Sequence, residues 1–432
     1  MRSLMIYLFL LCSMYPAAQA QTLGLQEAVQ TALKNSLEIE IGENTAAIGK
    51  VNNYYGVAGG LPLITASGTD VQQQSDIHQR LNTGVNIERK GANVNNASAN
   101  LTASMLLYNG SRVIATKKRL NELEHLGAAQ LNATVQNTIA AVMTAYYDVV
   151  RQQYFLKTID QSMAVANQRL DLVKVQQAAG FANNADLFQS QLDLNTLRQS
   201  FQSQQLVIAQ AKSELLRQLN LNPDSLILVS DTIVVDNGLD LNNILEHVPA
   251  NADIMAADHQ ARALEFRVRE IAAQRYPSLT GNTGYNFNRS YSEAGQMLLN
   301  QNNGPFVSVS LGVPLYAGSN FKRQQKAAGY DAANARLQKE ILLRDYNTAV
   351  VKAYQAYRIN KEQLDLQQRS LDTAHKLLDL VLLKFKLRQA TIIDVKIAQQ
   401  SFETTSYNLS NISYAAKAAE IELKRLANTL KL

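Results

Sequence analysis

Two aspartates, Asp186 and Asp394, occupy equivalent places 208 residues apart in this 432-residue chain. Each follows a break between two helical stretches, in the segments "GFANNAD" and "RQATIID", and stands at the start of the next helix. A carboxylate there can accept hydrogen bonds from free backbone N–H groups, and it can attract cations where the helix end is exposed. Helix capping and cation attraction are therefore both open to these two residues, and the two roles are compatible.

Other residue types that do chemistry lack a useful spacing. The sequence has no P-loop, no nucleophile elbow and no HExxH helix. Its five histidines are His78, His125, His247, His259 and His375. None of them has the spacing of a metal-ligand set, so each is interpreted as a surface residue. The sequence predicts no enzyme, no cofactor and no metal site, and any energy source would belong to partner proteins.

The first 20 residues have the pattern of a signal peptide. Arg2 precedes the apolar run "LMIYLFLLCSMY", and Ala18-Gln19-Ala20 forms a small-residue cleavage site. The run is too short for a transmembrane helix. Cleavage would remove Cys12, the only cysteine, so we expect an exported chain without disulfides. The net charge of +5 is dispersed among acidic residues, which is typical of solvated helix faces rather than of a nucleic-acid surface.

The mature sequence consists of two copies of one plan. The first copy covers 21–221, the second covers 241–432, and a connecting equatorial insert at 222–240 is expected to hold one or two small strands. Each copy is predicted to contain, in order, a helix, a pair of strands, a long helix, a tight turn and a returning helix. Apolar residues at alternating steps of three and four predict coiled-coil packing of the long helices. The polar seam residues Gln152 and Asn360 coincide in the two copies and could set helix register.

Four segments alternate apolar and polar residues with the period of a β-strand. They are predicted at about 62–78, 97–109, 277–289 and 305–316, with polar loops at about 79–97 and 290–304. In the last segment Val307, Val309 and Leu311 point one way, whereas Ser308 and Ser310 point the other. Such a segment suits a strand between lipid and a watery lumen, although a half-buried strand of a soluble protein has the same periodicity.

The dimensions of these elements restrict the assembly. The long helices are predicted to begin after Ser111 and Ser319 and to end near 178 and 386, which at 1.5 Å per residue gives about 100 Å. Four strands cannot close a barrel, and an open sheet edge cannot face lipid. Copies of the chain must therefore combine so that the number of strands is a multiple of four.

The whole plan resembles the TolC-type outer membrane efflux proteins. The resemblance rests on the paired junctions "LLYNGS" and "VPLYAGS" and on tip turns at 179–186 and 387–394, in order behind a signal peptide. The junction residues singled out are Tyr108, Gly110, Tyr316 and Gly318. The resemblance implies an α+β membrane protein, in which a trimeric twelve-stranded β-barrel continues into a long periplasmic α-helical coiled-coil barrel.

The resemblance also implies where the protein acts and with what. It implies the outer membrane of a Gram-negative bacterium, with an extension into the periplasm. A homotrimer would be the exit duct of a tripartite system, passing small molecules such as drugs from the periplasm to the exterior. Its partners would be a periplasmic adaptor (membrane fusion) protein, an inner-membrane pump and outer membrane lipid.

The resemblance puts the periplasmic mouth at the two tip turns. It implies a ring of three carboxylates at Asp186 and another at Asp394, which would attract cations. The residues expected at the gate are Asp186, Asp394, Phe385, Arg388 and Lys396, and those expected at an adaptor-docking tip are Gly180, Phe181, Gln389 and Thr391. Ala390 and Phe385 stand where the family has a gate arginine and a gate tyrosine, and Ile397 replaces a second carboxylate. The familiar polar gate links are therefore incomplete in this sequence, and a polar and a more hydrophobic closure both remain open.

Two other functions remain open at this point. A duct of the same fold could serve type I protein secretion or heavy-metal export, and the sequence does not separate these cargoes from drugs. A soluble periplasmic coiled-coil scaffold is the third hypothesis. Such a scaffold would have no use for four amphipathic strands that carry Tyr108 and Tyr316 near their ends.

Overall fold

The fold, seen in a computed structural model, is defined for residues 21–294 and 297–430. The predicted signal peptide at 1–20 lies outside the described residues. The helices are α1 (Leu25–Asn35), α2 (Leu37–Asn52), α3 (Arg112–Ala178), α4 (Asn184–Gln218), α5 (Leu241–His247), α6 (Ala252–Ala273), α7 (Asn320–Lys386) and α8 (Ile392–Leu426). The strands are β1 (Gln21–Thr22), β2 (Leu63–Arg80), β3 (Asn86–Tyr108), β4 (Ile227–Leu228), β5 (Ser278–Ser292) and β6 (Leu299–Gly312).

The two long helices, α3 and α7, are each 67 residues long, about 100 Å at 1.5 Å per residue. Neither contains proline, which would interrupt the backbone hydrogen bonds. Each is followed by a short turn and by a helix of 35 residues, α4 or α8. The ends of α3 and α7 agree with those that the heptad pattern predicted. No helix within 21–294 or 297–430 combines the length and the apolar character needed to cross a membrane.

One antiparallel sheet has the strand order β2-β3-β5-β6. Its two central strands come from different sequence repeats, since β3 belongs to the first copy and β5 to the second. The register joins Leu101 of β3 to Tyr285 of β5, and Tyr285 to Pro305 of β6. Within the described residues, β2 and β6 each have one neighbour in this sheet.

The strands extend further into polar sequence than the periodicity indicated. The β2–β3 ladder continues to the pair Arg80 and Asn86, through a bulge between Ser75 and Ile77. The segment 79–97, predicted as a loop, is therefore mostly strand, and β3 begins eleven residues before the predicted start at 97. Backbone pairing with a neighbour maintains a strand here, although the side chains have lost the apolar alternation.

The second junction also differs from its prediction. Strand β6 begins at Leu299 inside the predicted loop 290–304, and it ends at Gly312 instead of continuing to 316. The β5–β6 ladder stops at the pair Ser278 and Gly312, and Pro314 follows two residues later. Proline has no N–H to donate to a ladder, so "VPLY" does not continue the strand as "LLY" does in the first repeat.

The described chain divides into two compact units that do not coincide with the two repeats. The first unit comprises residues up to Glu43, Ala129–Met255 and those from Ile341 onward. The second comprises Asn44–Ala128 and Ala256–Glu340. Each unit draws on both repeats because strands of both pair in one sheet, and helices of both pack in one bundle. The repeats predicted at 21–221 and 241–432 therefore do not fold as separate units. Each compact unit contains segments of both repeats.

The main hydrophobic cluster of the first unit lies where α1, α3 and α4 meet the connecting insert. Its most buried members are Ala28, Val142, Tyr146, Val149, Leu215 and Leu219, and the insert adds Ile227 and Val229. The Tyr146 hydroxyl lies 2.9 Å from the Leu23 carbonyl and 2.5 Å from the Asp231 carboxylate. Burial and the Asp231 carboxylate raise the pKa of Tyr146. The insert is therefore tied to the helices by packing and by hydrogen bonds, and β4 pairs with β1 in parallel.

Side-chain pairs tie the helices of the second unit together. The Arg119 Nε donates to Glu270 Oε2 at 2.7 Å, and His259 Nδ1 lies 2.8 Å from Glu122 Oε2. His125 stacks on His259 with ring centroids 5.2 Å apart. His259 was predicted to lie on the surface, but it is only 18% exposed. The prediction failed because the periodicity of α6 does not show that α3 covers this position.

Candidate functional site

The sheet has one apolar face, assembled by the register of four strands. Successive rows across β3, β5 and β6 carry Met105, Gly281 and Val309; Ala103, Thr283 and Val307; Leu101, Tyr285 and Pro305. Val307 is 82% exposed and Val309 64% exposed in the single chain. Apolar side chains this open to water are the mark of a surface that another phase or molecule covers.

The rows that alternate with these place their side chains on the opposite face, which is uncharged and, apart from glycines and Phe306, polar. It carries Ser98, Asn288 and Asn302; Asn100, Asn286 and Gly304; Thr102, Gly284 and Phe306; Ser104, Asn282 and Ser308. Hydroxyl and amide groups can exchange hydrogen bonds with water without attracting ions of either sign. This face suits contact with a watery passage, and it has no charge in these rows that would select among solutes.

The apolar face ends at a row that contains charges. Asp70 of β2, Ala97 of β3 and Arg289 of β5 are aligned across the sheet. Arg289 lies ten residues beyond Leu279, where the apolar face begins on β5. At about 3.4 Å per residue and a tilt of about 40°, ten residues span roughly 25 Å. That height is close to the apolar band of outer-membrane barrels.

Strands β3 and β6 are each followed by a Gly-Ser pair just before the long helix begins. The backbone of both residues in each pair lies in the left-handed region. The φ angles are +64° at Gly110 and +67° at Ser111, and +59° at Gly318 and +61° at Ser319. A Cβ atom on Gly110 would lie 2.6 Å from the Cβ of Tyr276, which excludes any side chain there. Gly318 has no such neighbour within 4 Å, so only its φ favours glycine. The tyrosines before these turns, Tyr108 and Tyr316, are exposed.

The first tip turn joins α3 to α4 through two linked backbone motifs. Gly180 has φ +77°; its N–H donates to Gln177 O at 2.9 Å, and the N–H of Phe181 donates to Gln176 O at 2.7 Å. This pattern is a Schellman motif, which satisfies the last carbonyls of α3. Asn183 then caps α4, since its Oδ1 accepts from the N–H of Asp186 at 2.8 Å.

Asp186 is therefore the third residue of α4 rather than its N-cap. Its Oδ2 accepts a hydrogen bond from the Asn183 N–H at 3.3 Å, which completes a capping box. The sequence predicted that Asp186 and Asp394 cap their helices. The structure gives the N-cap positions to Asn183 and Thr391, and each aspartate reaches back to the N-cap from three residues later.

The second tip turn repeats this plan with different residues. Arg388 takes the place of Gly180 with φ +62°; its N–H donates to Phe385 O at 3.1 Å, and the Gln389 N–H donates to Lys384 O at 2.8 Å. Thr391 caps α8, and Asp394 Oδ2 accepts from the Thr391 N–H at 2.7 Å and from its Oγ1 at 2.8 Å. These hydrogen bonds, the one from the backbone N–H first, lower the pKa of Asp394.

The structure brings several predicted tip residues into one cleft of about 350 Å³. Its lining includes Phe181, Asp186, Phe385, Arg388 and Thr391. The Arg388 guanidinium carbon lies 3.6 Å from the centroid of the Phe181 ring, so the two tips of one chain touch. Phe385 is buried among Val173, Val395 and Phe402, as a packing residue inside the chain. Gln389 contributes its backbone N–H to the turn.

Lys396, near the start of α8 and partly exposed, forms an ion pair that the sequence analysis missed. Its Nζ donates to Asp193 Oδ1 at 2.9 Å, and Asp193 Oδ2 accepts from Arg169 Nη2 at 2.8 Å. Arg169 is 1% exposed. The signal was present in the sequence, because an arginine on the apolar side of a long helix needs a buried carboxylate, but spacing alone did not identify the partner.

Comparisons with known proteins agree with this geometry. Residues 246–429 match the model of the family described as outer membrane efflux protein. The chain is 23% identical over 354 residues to outer membrane protein TolC of Vibrio cholerae serotype O1, and the match covers 77% of each. Among solved structures, CusC has a TM-score of 0.77 at 17% identity, with 96% of this chain and 95% of that chain covered.

Two further solved structures have the same fold. The outer-membrane channel OprN has a TM-score of 0.78 at 14% identity and covers 94% of this chain and 90% of its own. The outer membrane protein VceC of Vibrio cholerae has a TM-score of 0.77 at 16% identity, with 94% and 96% covered. At these identities the structural likeness shows the fold, and it confirms the predicted fold class.

The family resemblance inferred from the junctions and tip turns is thereby confirmed. The chain is similar to the TolC-type outer membrane efflux proteins, by the family match over residues 246–429 and by the likeness to TolC over 354 residues. It is thus an outer membrane efflux channel protein that extends into the periplasm, as predicted, and members of this family are not enzymes.

Proposed function

We propose that three copies of this chain form the exit duct of a tripartite efflux system, which passes small molecules such as drugs from the periplasm to the exterior. The observation that carries the proposal is the two-faced sheet. Its apolar face spans roughly 25 Å, its other face is uncharged and polar in the rows from Ser98 to Ser104, and its edge strands β2 and β6 are each long enough to pair with a neighbouring copy.

Three copies would supply twelve strands and leave no edge in lipid. An eight-stranded barrel from two copies is filled by its own side chains, whereas twelve strands leave room for a lumen. The uncharged polar face would line that lumen and pass solutes without regard to the sign of their charge. Discrimination by charge would then belong to the tip turns, where Asp186 and Asp394 would form rings of carboxylates.

The tip turns would also be the surface that a periplasmic adaptor contacts. Gly180, Phe181, Gln389 and Thr391 lie in the two turns, and Phe181 is 63% exposed. An inner-membrane pump would supply the energy. A part of the chain that presents an exposed aromatic ring beside backbone turns is suited to contact another protein.

Fractionation and gene deletion test the proposed function together. The chain should be recovered from the outer membrane fraction in detergent, with the mass of three copies. Deletion of its gene should make the host more sensitive to several unrelated drugs, and a plasmid copy should reverse this. A detergent-free periplasmic monomer would refute the duct. If drug sensitivity is unchanged, but the host no longer secretes a protein or loses its resistance to a heavy metal, the cargo of the duct is that protein or metal and not drugs.

Charge selection at the tips gives a separate prediction. Replacing both Asp186 and Asp394 by Asn should lower the preference for cations in planar-bilayer conductance, because the rings would lose six negative charges, two from each of three copies. The matched control is Asp171→Asn, which removes an exposed carboxylate elsewhere on α3 and should leave selectivity unchanged. If the double variant retains the wild-type selectivity, the two aspartates act only in their capping boxes.

A further inference from the structure

The part of the sheet in which all four strands run side by side has two charged residues, Asp70 and Arg289. This part comprises residues 63–72, 95–108, 278–291 and 299–312. Both charges lie in the row that also contains Ala97. Residues two apart on a strand point to the same side, so Arg289 shares its face with Tyr285 and Phe287. Arg289 is therefore the one cation on the apolar face of these rows.

The guanidinium of Arg289 is not neutralised by this chain. Its side chain is exposed and forms no ion pair, hydrogen bond or ring contact with the part of the chain that the structure describes. The carboxylate of the same row is occupied by amides, since Asp70 Oδ1 accepts from Asn95 Nδ2 at 2.5 Å and Oδ2 accepts from Gln72 Nε2 at 3.4 Å. Ala97 stands between the two charges, whose strands are about 10 Å apart at two strand spacings.

Aromatic rings and an amide surround this guanidinium on the same face. Phe287 lies two residues before Arg289 and Tyr291 two residues after it on β5. Gln301 of β6 is the cross-strand partner of Arg289, and its amide can donate a further hydrogen bond. Beyond Phe287 the face continues through apolar residues such as Val307, which is 82% exposed. Such an arrangement suits a ligand that is anionic at one end and apolar at the other.

The position of Arg289 along the strands indicates which ligand it meets. Strand β3 ends at Tyr108, which pairs with Leu279, and α3 follows, so this end of the sheet is the periplasmic one. Arg289 lies ten residues further along β5, which is roughly 25 Å across the apolar band. That is the level of the headgroups of the outer leaflet. Tyrosine, as at Tyr291, is typical of such an interface.

We propose that Arg289 binds a phosphate group of an acylated, phosphorylated glycolipid in the outer leaflet, with Gln301 as a second donor and with the acyl chains along Tyr285 and Val307. The inference rests on the proposed function as a duct through the membrane. A guanidinium can donate two parallel hydrogen bonds to a phosphate. Free phosphate offers the same anion but makes no use of the apolar surface. Because β5 is an inner strand of its sheet, every copy carries a complete site.

Native mass spectrometry of the purified full-length oligomer in detergent tests the site. The oligomer is titrated with lipid A that retains its phosphates and with the same lipid after their removal. The wild type should bind the phosphorylated form about tenfold more tightly, because a charge-assisted hydrogen bond is lost with the phosphate. Arg289→Gln should abolish this preference, and Arg289→Lys should retain part of it. Arg89→Gln is the matched control, since Arg89 is exposed on β3 beyond the four-stranded rows.

Three outcomes would overturn the site. Equal binding of the two lipid forms by the wild type refutes it without any variant, so the test stands even if Arg289→Gln fails to assemble. An Arg289→Gln oligomer that keeps the preference also refutes it. If inorganic phosphate displaces the phosphorylated lipid at an equal concentration, the site takes free anions and is not a lipid site. A wild-type chain that is not recovered as an outer membrane oligomer would instead refute the duct, so the two failures are distinguishable.

Discussion

The two tip turns have the same backbone plan but depend on different side chains. Both close with a Schellman motif and open the next helix with a capping box. In the first turn Gly180 takes φ +77°, a conformation that glycine adopts without steric cost. In the second turn Arg388 takes φ +62°, which costs a residue with a Cβ about 1 kcal/mol or more. The left-handed conformation is therefore unstrained in the first turn. In the second turn it is strained, and other contacts must compensate for the strain.

The difference indicates what enforces the second turn. The Arg388 guanidinium stacks on the Phe181 ring of the first turn at 3.6 Å. A cation–π contact at an exposed site contributes about 0.5–1 kcal/mol, which is of the same order as the backbone strain. The first turn can thus form alone, whereas the second is stabilised by contact with the first. Four predictions test this asymmetry, in order of decreasing effect.

Substituting the left-handed residue should affect the two turns unequally. Gly180→Ala should destabilise the first turn by about 1 kcal/mol or more, because no atom lies within 4 Å of the new Cβ and only the φ angle opposes it. Arg388→Gly should relieve strain and remove the cation–π contact, so the net change should be within about 0.5 kcal/mol. Hydrogen exchange of the backbone amides at 173–187 and 381–395 measures both. Equal losses in the two turns would contradict the asymmetry.

The two N-caps should contribute equally, because the capping geometry is shared. Asn183→Ala and Thr391→Ala should each cost about 1 kcal/mol, seen as faster amide exchange in the first turn of α4 and of α8. Substitution of Gln191 by Ala is the control for the first cap, since Gln191 lies on an exposed face of α4 beyond its first turn. A loss confined to one of the two helices would show that their caps are not equivalent.

A double-mutant cycle should detect the coupling of the two tips. Phe181→Leu should destabilise the second turn by about 0.5–1 kcal/mol in the wild type, since it removes the aromatic face below Arg388. The same substitution should have no effect on the second turn in an Arg388→Gly background. Amide exchange at 381–395 is again the measurement, and an unchanged effect of Phe181→Leu in that background would exclude the cation–π contact as the coupling.

The smallest effect should appear in the dependence on pH. The pKa of Asp394 is lowered below its ordinary value of 3.8 by hydrogen bonds from Thr391. A carboxylate with a lowered folded-state pKa stabilises the fold above pH 3.8, and this contribution is lost as the pH falls through the lower folded-state pKa. The protection of the backbone amides at the start of α8, measured against the intrinsic exchange rate at each pH, should therefore fall below about pH 4. Asp394→Asn should remove that step, and persistence of the step would assign it to another group.

The sequence predicted the elements that follow from local patterns. Proline-free heptads identified α3 and α7, and the repeated Gly-Ser pairs located both turns from strand to helix. Arg388 was expected at the gate, but neither its left-handed conformation nor its contact with Phe181 was predicted. The pair of Asp193 with Lys396 also escaped prediction, because these residues are 203 positions apart and no spacing rule connects them.

The extent of the strands could not be predicted for a different physical reason. The segments around Asn93 and Asn302 have none of the apolar alternation that indicates a strand, and polar sequence of this kind is typical of loops. They are strands because a neighbouring backbone pairs with them. Burial decides where an isolated strand forms, whereas in a long ladder the hydrogen bonds of one strand maintain the next.

The open edges of the sheet have a consequence for biogenesis. Among the described strands, β2 presents 18 residues and β6 presents 14 as outer members of their sheet, beside a face of exposed valines and leucines. A newly exported chain in water would aggregate through such edges before it could finish folding alone. The last stage of its maturation should therefore be multimolecular, with a rate that rises steeply with the number of nascent copies. Periplasmic holdases that bind apolar strands, and proteases that degrade unpaired copies, would both act on the chain before it assembles.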